Sequence, residues 1–281
     1  MIAICPNPYR DHALKLSRAC LRLLQEAGFA CVLCPVFSES EPELIPEELH
    51  PQSLEELDEN CTLAVVIGGD GTMLTVASAL YGKEIPLLGV NLGTKGFMAS
   101  IEPDNIEPVL QAARGECPVS RRMMLDLTLQ RGGETVFHGS ALNDAVIHGY
   151  GECVNITAWC NGQKMTGFNG DGVILSTPTG STGYSMSAGG PIVEPDAENI
   201  ILSPICAHVL GARTFVLGPD REITVRTEKS YGRRAYLSVD GNFSCDVSSG
   251  DILIARRSAH QVLLADPGVK SFYEIAFEKL R

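Results

Sequence analysis

The sequence is short of positive charge. Its 281 residues include 22 Lys and Arg against 34 Asp and Glu, which gives a formal net charge of −12. Nucleic-acid backbones are bound by clustered Lys and Arg side chains, so this balance argues against a nucleic-acid partner. Small phosphorylated ligands stay possible, because backbone N–H groups and single cations can bind them without a positive surface.

The sequence also lacks a long hydrophobic run. No apolar stretch approaches the ~20 residues that a membrane-spanning helix requires. The opening residues, MIAICPNP, are typical of a first strand rather than of a leader peptide. We therefore expect no membrane partner and a cytoplasmic location. A composition of 44% hydrophobic and 20% charged residues is ordinary for a globular protein with one large domain or two smaller ones.

Signatures of a metal site are missing as well. The ten cysteines are scattered, and the six histidines show no ligand spacing. Only Cys31 and Cys34 form a CxxC, and no second pair or histidine cluster completes a zinc site. We expect most cysteines to be small buried side chains in a reducing compartment.

The first third of the chain alternates strand and helix patterns. Apolar runs predict strands over IAIC, FACVLCPVF, LAVVIGG and IPLLGVNLG, while helical spacing predicts helices over Asp11–Ala27 and Thr72–Leu80. Such a β-α-β order predicts a parallel sheet in an α/β, Rossmann-like N-terminal domain, residues 1–121. The acidic, proline-containing stretch from Glu39 to Glu59 is predicted to be a surface loop with at most a short helix.

After Arg121 and Arg122 the pattern changes to alternating apolar and polar residues. Gly132-Gly133 and Asn161-Gly162 are turn signals between such stretches and predict hairpins. Residues 122–257 are therefore predicted to form a β-rich domain. We expect the remaining tail, residues 258–281, to return to the first domain.

A glycine-rich loop follows the third predicted strand, where Gly68-Gly69-Asp70-Gly71-Thr72 leads into a helix. Helix N-terminal N–H groups attract anions, and glycines let phosphate oxygens approach the backbone. Thr72 fits either an N-cap or a hydroxyl donor to phosphate. Asp70 fits a proton acceptor, a magnesium ligand through water, or simply a local cap in a tight turn. Neither a P-loop nor a GxGxxG fingerprint occurs in the chain.

A second polar segment runs from Asn169 to Val193 and is dense in Gly, Ser and Thr. It contains Asp171 and, from Thr177 to Ser187, almost no large apolar side chain. Such a stretch is expected to lie outside the core, as a flexible linker or as a ligand loop. The ordered flanking patterns favour the ligand loop.

These motifs together resemble the NAD kinases. They are GGDGT at 68–72, GVNLGTKGFM at 89–98, ALND at 141–144, DGVILSTPTGSTGYSMSAGGPIV at 171–193 and SVDG at 238–241. The first also resembles a motif of diacylglycerol and sphingosine kinases and of phosphofructokinases, whereas the long fourth one is specific. The resemblance implies a two-domain fold and transfer of the ATP γ-phosphate to the adenosine 2′-hydroxyl of NAD, giving NADP. It also implies Mg²⁺ carried by ATP without a dedicated protein cage, and a homodimer or homotetramer.

The resemblance also implies roles for particular residues. Asp70 matches the catalytic aspartate, expected to accept the proton of the 2′-hydroxyl. The residues expected to line the ATP phosphates are Gly68, Gly69, Gly71 and Thr72. The residues expected to contact NAD are Asp70, Gly71, Phe97, Asn143, Asp144, Asp171, Thr182, Gly183, Tyr184, Ser185, Ser187 and Asn242.

The chain departs from the family pattern at three positions in or beside these motifs. Asp144 stands where the family has Glu, Gly183 where many relatives have Ala, and Asn169 where Arg or Lys is more usual.

Two other functions stay open on the sequence. A lipid kinase sharing GGDGT would need an apolar acceptor pocket or a membrane-facing surface, and the hydroxyl-rich segment argues against it. A catalytically silent NAD(P)-sensing module is the other, supported by Asp144 and Asn169.

Overall fold

The structure, a computed structural model, describes residues 1–36, 44–45, 51–93, 96–99, 101–209, 211–228 and 234–280. Ten of the 21 residues of the acidic loop predicted over Glu39–Glu59 lie outside the described residues, as do two positions of the GVNLGTKGFM motif. The chain divides into two compact units, Met1–Arg121 with Val262–Arg281, and Arg122–Gln261.

Helices and strands alternate in the first unit, and strands dominate the second. The α-helices of the described residues are α1 Lys15–Glu26, α2 Asp70–Ala79, α3 Pro108–Ala113, α4 Tyr184–Ser187 and α5 Phe272–Lys279. The strands are β1 Ile2–Pro6, β2 Cys31–Leu33, β3 Leu63–Gly68, β4 Leu87–Asn91, β5 Val119–Arg131, β6 Glu134–Ala141, β7 Asp144–Gly149, β8 Val154–Cys160, β9 Gln163–Gly170, β10 Gly172–Ser176, β11 Ile200–Ile205, β12 Phe215–Leu217, β13 Ile223–Thr227, β14 Ala235–Val239, β15 Asn242–Val247 and β16 Ile252–Ala265. None of the helices in the described ranges is long and apolar enough to span a membrane.

The first unit is built on a parallel sheet with the strand order β2-β1-β3-β4. Every residue of β1, β3 and β4 is buried, as expected for central strands of a parallel sheet covered on both faces. The last part of β16 adds to this sheet, where Leu264 pairs in parallel with Leu87. The carboxyl ends of β1, β3 and β4 therefore lie along one edge, which is where ligands bind in sheets of this kind.

Both predicted helices of the first unit begin at different residues in the structure. The predicted helix over Asp11–Ala27 has a 3-10 turn at His12–Leu14, and α1 begins at Lys15. Asp11 stays outside the helix because its carboxylate accepts the backbone N–H groups of Leu16 and Ser17, both at 2.9 Å. Helix α2 begins two residues before the predicted start at Thr72, because Gly69 takes the extended N-cap conformation.

The predicted strand FACVLCPVF is also shorter in the structure. Strand β2 covers only Cys31–Leu33. The amides of Cys34 and Val36 still donate to carbonyl oxygens of β1, both at 2.8 Å. The segment thus follows β1 beyond the end of the regular strand.

The second unit has two sheets around one hydrophobic core. One sheet has the antiparallel order β12-β11-β10-β7-β14-β15, and the other joins β16, β13, β8 and β9, with β5 and β6 beside β16. The core draws on alternate residues of both sheets, including Leu127, Ile147, Leu175, Val225 and Leu253. This period-two burial is what the sequence pattern predicted for a β-rich domain.

Three hairpins of the second unit turn on residue pairs with positive φ. The pairs are Gly132-Gly133, Asn161-Gly162 and Asp240-Gly241, with φ between 48° and 92°. Tight hairpin turns need this backbone region, which glycine, asparagine and aspartate adopt most easily. The first two of these turns were predicted from the sequence. Strand β16 runs through residue 258, so the predicted start of the tail falls inside a strand.

Candidate active site

The glycine loop connects the buried strand β3 to helix α2. Gly69 has φ −125° and ψ −170°, and Asp70 and Gly71 form the first turn of the helix. The first N–H groups of a helix have no partner within it and are available to an anion. Space beside Gly71 is open, since a Cβ there would have no neighbour within 4 Å. The loop thus has the shape and the dipole for binding phosphate.

Thr72 lies inside α2 and is buried, so the N-cap role considered for it is wrong. Its hydroxyl oxygen accepts a hydrogen bond from Asn7 Nδ2 at 3.2 Å. Asn7 follows β1, and its backbone N–H donates to Ile67 O of β3 at 2.8 Å. These contacts tie the turn after β1 to the glycine loop.

Asp70 points away from its own helix, towards the loop that follows β4. Its carboxylate accepts the backbone N–H groups of Phe97, Met98 and Ala99 at 2.7, 3.1 and 3.4 Å. Gly96 makes this approach possible, because a Cβ at that position would collide with the Asp70 carboxylate. The local-cap interpretation of Asp70 is therefore wrong. Since a carboxylate offers about four acceptor positions, three amides leave one free for a ligand hydroxyl.

Phe97 links this loop to the C-terminal helix of the same unit. Its ring lies 6.1 Å from the ring of Phe272, and the ammonium group of Lys279 lies 4.2 Å from its centroid. A cation at this distance from an aromatic face is attracted by the ring. Helix α5 thus holds the residue whose N–H makes the shortest bond to Asp70.

In the second unit, Asn143 and Asp144 lie at a corner between β6 and β7. The Asp240 carboxylate accepts the backbone N–H groups of Leu142, Asn143 and Asp144 at 2.9, 2.7 and 3.1 Å. Asp240 belongs to the SVDG motif, for which no residue role was predicted at this position. The sequence did offer a signal for Asp240, because its carboxylate lies in a hairpin turn only two residues before Asn242, a proposed site residue.

The hydroxyl-rich segment packs against the same corner. Thr177 donates its N–H to Asn143 O at 2.9 Å and its hydroxyl to Leu142 O at 2.5 Å. A Cβ on Gly183 would lie 3.8 Å from Asn143 Nδ2, so the segment and the corner adjoin. Gly180 passes so close to the Asn143 carbonyl that no side chain fits there.

The expectation that this segment lies outside the core is wrong. Residues 179–182 form a 3-10 turn, α4 follows, and several hydroxyl side chains are fully buried. Small hydroxyl groups can pack inside a protein when each finds a partner, as Ser181 does with the carbonyl of Val193. The Ser185 hydroxyl lies 3.1 Å from that of Ser203 and is fully buried, which argues against the NAD contact expected of it.

Asp144 and Tyr184, two predicted NAD residues, have raised pKa values. Asp144 is 6% exposed, and burial, then the Asp240 carboxylate, raise its pKa to about 7. Partial burial, then Tyr236, raise the pKa of the Tyr184 hydroxyl, and Cys206, Asp171 and Asp144 add to the shift. The rest of the Tyr184 side chain is exposed.

Two cysteines lie beside Asp171. Cys153 Sγ is 3.8 Å from Asp171 Oδ1 and 3.6 Å from His208 Nε2, and a hydrogen bond to Asp171 raises the pKa of Cys206. Cys206 is exposed, unlike the buried cysteines that the sequence predicted, such as Cys34, whose pKa burial raises to about 12.

The remaining predicted NAD residues lie at the surface or at its edge. Ser187 and Asn242 are exposed, and Thr182 is half-buried, with its hydroxyl donating to Thr179 O at 3.3 Å. None of the hydrogen bonds between described residues joins Asn242 to Asn143, Asp144 or Asp171. Within the described ranges there is also no group of three His, Cys, Asp or Glu able to hold a metal ion.

Comparison with known proteins identifies the family. The family model for the ATP-NAD kinase N-terminal domain matches residues 2–114, and the model for the ATP-NAD kinase C-terminal domain matches residues 142–266. The chain belongs to the ATP-NAD kinase family. The NAD kinase of Geobacter metallireducens is 43% identical over 230 residues, 81% of this chain and 81% of that protein. The NAD kinase of Acetivibrio thermocellus is 34% identical over 99% of this chain and 96% of that protein.

Solved structures of this family have the same fold. An NAD kinase from Archaeoglobus fulgidus in complex with ATP aligns with a TM-score of 0.75 and 26% identity, over 100% of this chain and 99% of that chain. Yeast NADH kinase complexed with NADH aligns with a TM-score of 0.84 over 99% of this chain and 86% of that chain, at 24% identity. The predicted fold class and the resemblance stated from the motifs are confirmed. The family match favours an NAD kinase over a lipid kinase that shares only GGDGT.

Proposed function

We propose that this chain transfers the γ-phosphate of ATP to the 2′-hydroxyl of the adenosine ribose of NAD, forming NADP and ADP. The observation that carries the proposal is the Asp70 carboxylate. It stands in the first turn of α2, directly after the glycine loop, and three amides fix its orientation. A preorganised acceptor of this kind next to a phosphate-binding helix end suits phosphoryl transfer to an alcohol.

The first unit supplies the phosphate site. We propose that Gly68, Gly69, Gly71 and Thr72 line the ATP phosphates, with the α2 dipole favouring their negative charge. Phe97 is proposed to contact the adenine of NAD with part of its half-buried ring. The Lys279 ammonium already lies over that ring, so the aromatic contact is available only where Lys279 leaves the ring uncovered.

Asp70 acts on the proton of the 2′-hydroxyl. In the proposed step, the 2′-oxygen forms a bond to the γ-phosphorus, and the bond from that phosphorus to the β,γ-bridging oxygen breaks, releasing ADP. The hydroxyl proton passes to the Asp70 carboxylate and then to water. Because a ribose hydroxyl is a very weak acid, the carboxylate helps mainly as the proton leaves in the transition state.

The second unit supplies further contacts to NAD. We propose that Asn143 and Asp144 bind the ribose and adenine end, with Asp171 and Tyr184 beside them. The buried Asp144 carboxyl makes no hydrogen bond to the described residues, and a ribose hydroxyl would provide one. Thr182, Gly183, Ser187 and Asn242 are proposed as outer contacts.

Magnesium belongs to the proposal as part of the ATP substrate. The oxygens of Asp70, the carboxylate of the glycine loop, already accept three amides. We therefore propose that Mg²⁺ arrives bound to ATP and not in a protein cage. Mg²⁺ on the ATP phosphates would supply charge neutralisation there. The cytoplasmic location and the homodimer or homotetramer stay predictions.

The test is NADP formation by the purified chain with ATP, Mg²⁺ and NAD, followed with a dehydrogenase that accepts only NADP. Asp70→Asn keeps the size and removes the base, so we expect a fall in kcat of about a hundredfold or more, with a small change in the Kd of NAD. Asp104→Asn, at an exposed position of the same unit, is the matched control and should keep full activity.

Two outcomes would contradict the proposal. If Asp70→Asn kept the turnover of the wild type, Asp70 would not be the proton acceptor. If the wild type bound NAD and ATP but formed no NADP, the chain would be a silent NAD-sensing module instead.

A further inference from the structure

We infer that Arg10 is a phosphate-binding residue that clamps the triphosphate of ATP against the glycine loop, an inference that rests on the proposed function. Arg10 lies in the turn after β1, and no motif of the sequence analysis includes it. Strand β1 pairs in parallel with β3, so this turn and the glycine loop leave the sheet at the same edge.

The turn that carries Arg10 is firmly attached to the glycine loop. Asn7 begins the turn, accepts the backbone N–H of Arg10 at 3.0 Å and bonds the Thr72 hydroxyl of α2 through its side chain. Its side-chain oxygen also accepts the N–H of Tyr9 at 3.1 Å. The backbone of Arg10 is therefore held in place relative to the first turn of α2.

The guanidinium reaches across the loop to the end of β4. Its Nη1 donates to Leu92 O at 3.3 Å and lies 4.0 Å from the position of a Cβ on Gly69. A Cβ on Gly93 would lie only 2.5 Å from the same nitrogen, so glycine at 93 leaves the space that the guanidinium occupies. The cation thus sits between two glycine loops at the edge where the phosphates are proposed to lie.

Among the residues that the structure describes, most of the hydrogen-bonding capacity of the Arg10 guanidinium is unused. A guanidinium has five N–H donors, and the bond to Leu92 O is its one hydrogen bond to the described residues. The ion pairs found among these residues use other arginines and one lysine. In a chain with 34 acidic residues, an arginine beside a glycine loop whose guanidinium forms no ion pair with the described residues is arranged for an external anion.

A second unsatisfied group lies at the same place. The side-chain oxygen of Asn91, at the end of β4, is buried without a hydrogen-bond partner and lies 3.9 Å from the Gly93 Cβ position. Buried polar atoms in native proteins normally have partners, so an orphaned one marks a position where a ligand or water is expected. The donors of Arg10 and this acceptor border the same space, where phosphate oxygens would accept from Arg10 and a water or a ligand hydroxyl would donate to Asn91.

Arginine suits this task better than lysine, because its planar fork can donate two parallel hydrogen bonds to phosphate oxygens. It also neutralises charge that Mg²⁺ alone would otherwise carry, which lowers the cost of bringing the triphosphate to an acidic protein. The inference concerns the donor substrate only, so NAD binding is expected to be independent of Arg10.

The experiment measures binding without turnover. Calorimetric titrations with ATP, with inorganic tripolyphosphate and with NAD are made on the wild type, Arg10→Met, Arg10→Lys and the control Arg114→Met, an exposed arginine of the same unit. For Arg10→Met we expect the Kd of ATP and of tripolyphosphate to rise about tenfold or more, with the Kd of NAD unchanged. Arg10→Lys should recover part of the loss, and Arg114→Met should match the wild type.

Three results would overturn the inference: unchanged tripolyphosphate and ATP binding by Arg10→Met, equal weakening of ATP and NAD binding, or unfolding of Arg10→Met under the titration conditions. Either of the last two results would mean that Arg10 stabilises the fold and does not bind the phosphates. Because these titrations need no catalysis, they stay decisive if the wild type forms no NADP. That result would count against the proposed function and not against Arg10 as a phosphate-binding residue.

Discussion

At the scale of single residues, the Asp144 carboxyl is expected to lower the stability of the folded protein while it contributes to the proposed binding of NAD. Its carboxyl is buried beside a second acid, Asp240, and its pKa is raised to about 7 from the ordinary value of 3.8. In the unfolded chain the same carboxyl ionises near its ordinary pKa. Between these two values the unfolded state releases a proton that the folded state keeps, so the free energy of unfolding falls as the pH rises.

Replacing Asp144 with Asn should therefore stabilise the protein above neutral pH. One pKa unit corresponds to about 1.4 kcal/mol, so the shift sets a ceiling of about 4 kcal/mol on the gain near pH 8, and the difference should vanish near pH 4. The same variant should raise the KM for NAD, since an amide is a weaker acceptor for a ribose hydroxyl than a carboxylate. Urea unfolding across this pH range and steady-state kinetics check both parts.

The account of Asp144 would be contradicted if Asp144→Asn were no more stable than the wild type near pH 8. It would also be contradicted if the variant gained stability while the KM for NAD stayed the same. The first result would mean that burial of the ionised Asp144 carboxyl does not destabilise the folded protein. The second would mean that it does not touch the substrate.

At the scale of elements, the β14–β15 hairpin has a task beyond connecting two strands. Its turn residue Asp240 accepts three consecutive amides of the corner that carries Asn143 and Asp144. The corner in turn binds the hydroxyl-rich segment through Thr177. The hairpin turn is therefore the support on which the proposed NAD contacts of the second unit are arranged.

Asp240→Asn tests this support without disturbing the turn, because Asn-Gly is at least as favourable as Asp-Gly in a tight hairpin. Its amide has one acceptor oxygen where the carboxylate has two, so the corner loses part of its anchoring. We expect the KM for NAD to rise about tenfold while the Kd of ATP stays close to that of the wild type. The matched control is the reverse change Asn161→Asp in the β8–β9 turn. Equal NAD kinetics for Asp240→Asn and this control would contradict the role of Asp240.

The elements also show what the sequence could and could not predict. Strand β3, the glycine loop and the hairpin turns follow from local patterns, and the structure has them. The helix starts at Lys15 and Asp70 were missed by a few residues, because capping by Asp11 and Gly69 decides them. The hydroxyl-rich segment was placed outside the core by composition, whereas its buried serines find partners such as Ser203, distant in the sequence.

At the scale of the whole molecule, the fold class and the family could be predicted because five motifs occur in family order along the chain. Site residues to which the motifs assigned no role could not be predicted. Arg10 reaches the glycine loop only because β1 and β3 are neighbours, and Asp240 reaches Asn143 only because the β14–β15 turn meets the β6–β7 corner. Both contacts depend on tertiary structure that no local pattern shows.

The acidic charge of the molecule also bears on its substrates. With a net charge of −12, long-range attraction does not favour two phosphorylated substrates, so local groups must supply the binding energy. The helix end at Asp70, the loop glycines and Arg10 are those groups in the first unit. Raising the salt concentration should therefore weaken substrate binding less than it would in a protein with a basic surface.

The most direct test of the central claim is the identity of the product. The purified chain is incubated with ATP, Mg²⁺ and NAD, and the product is examined by phosphorus NMR against authentic NADP. The account predicts one new phosphate monoester on the adenosine 2′-oxygen, formed by the wild type and greatly reduced with Asp70→Asn. A phosphate at any other position, or undiminished product from Asp70→Asn, would contradict it.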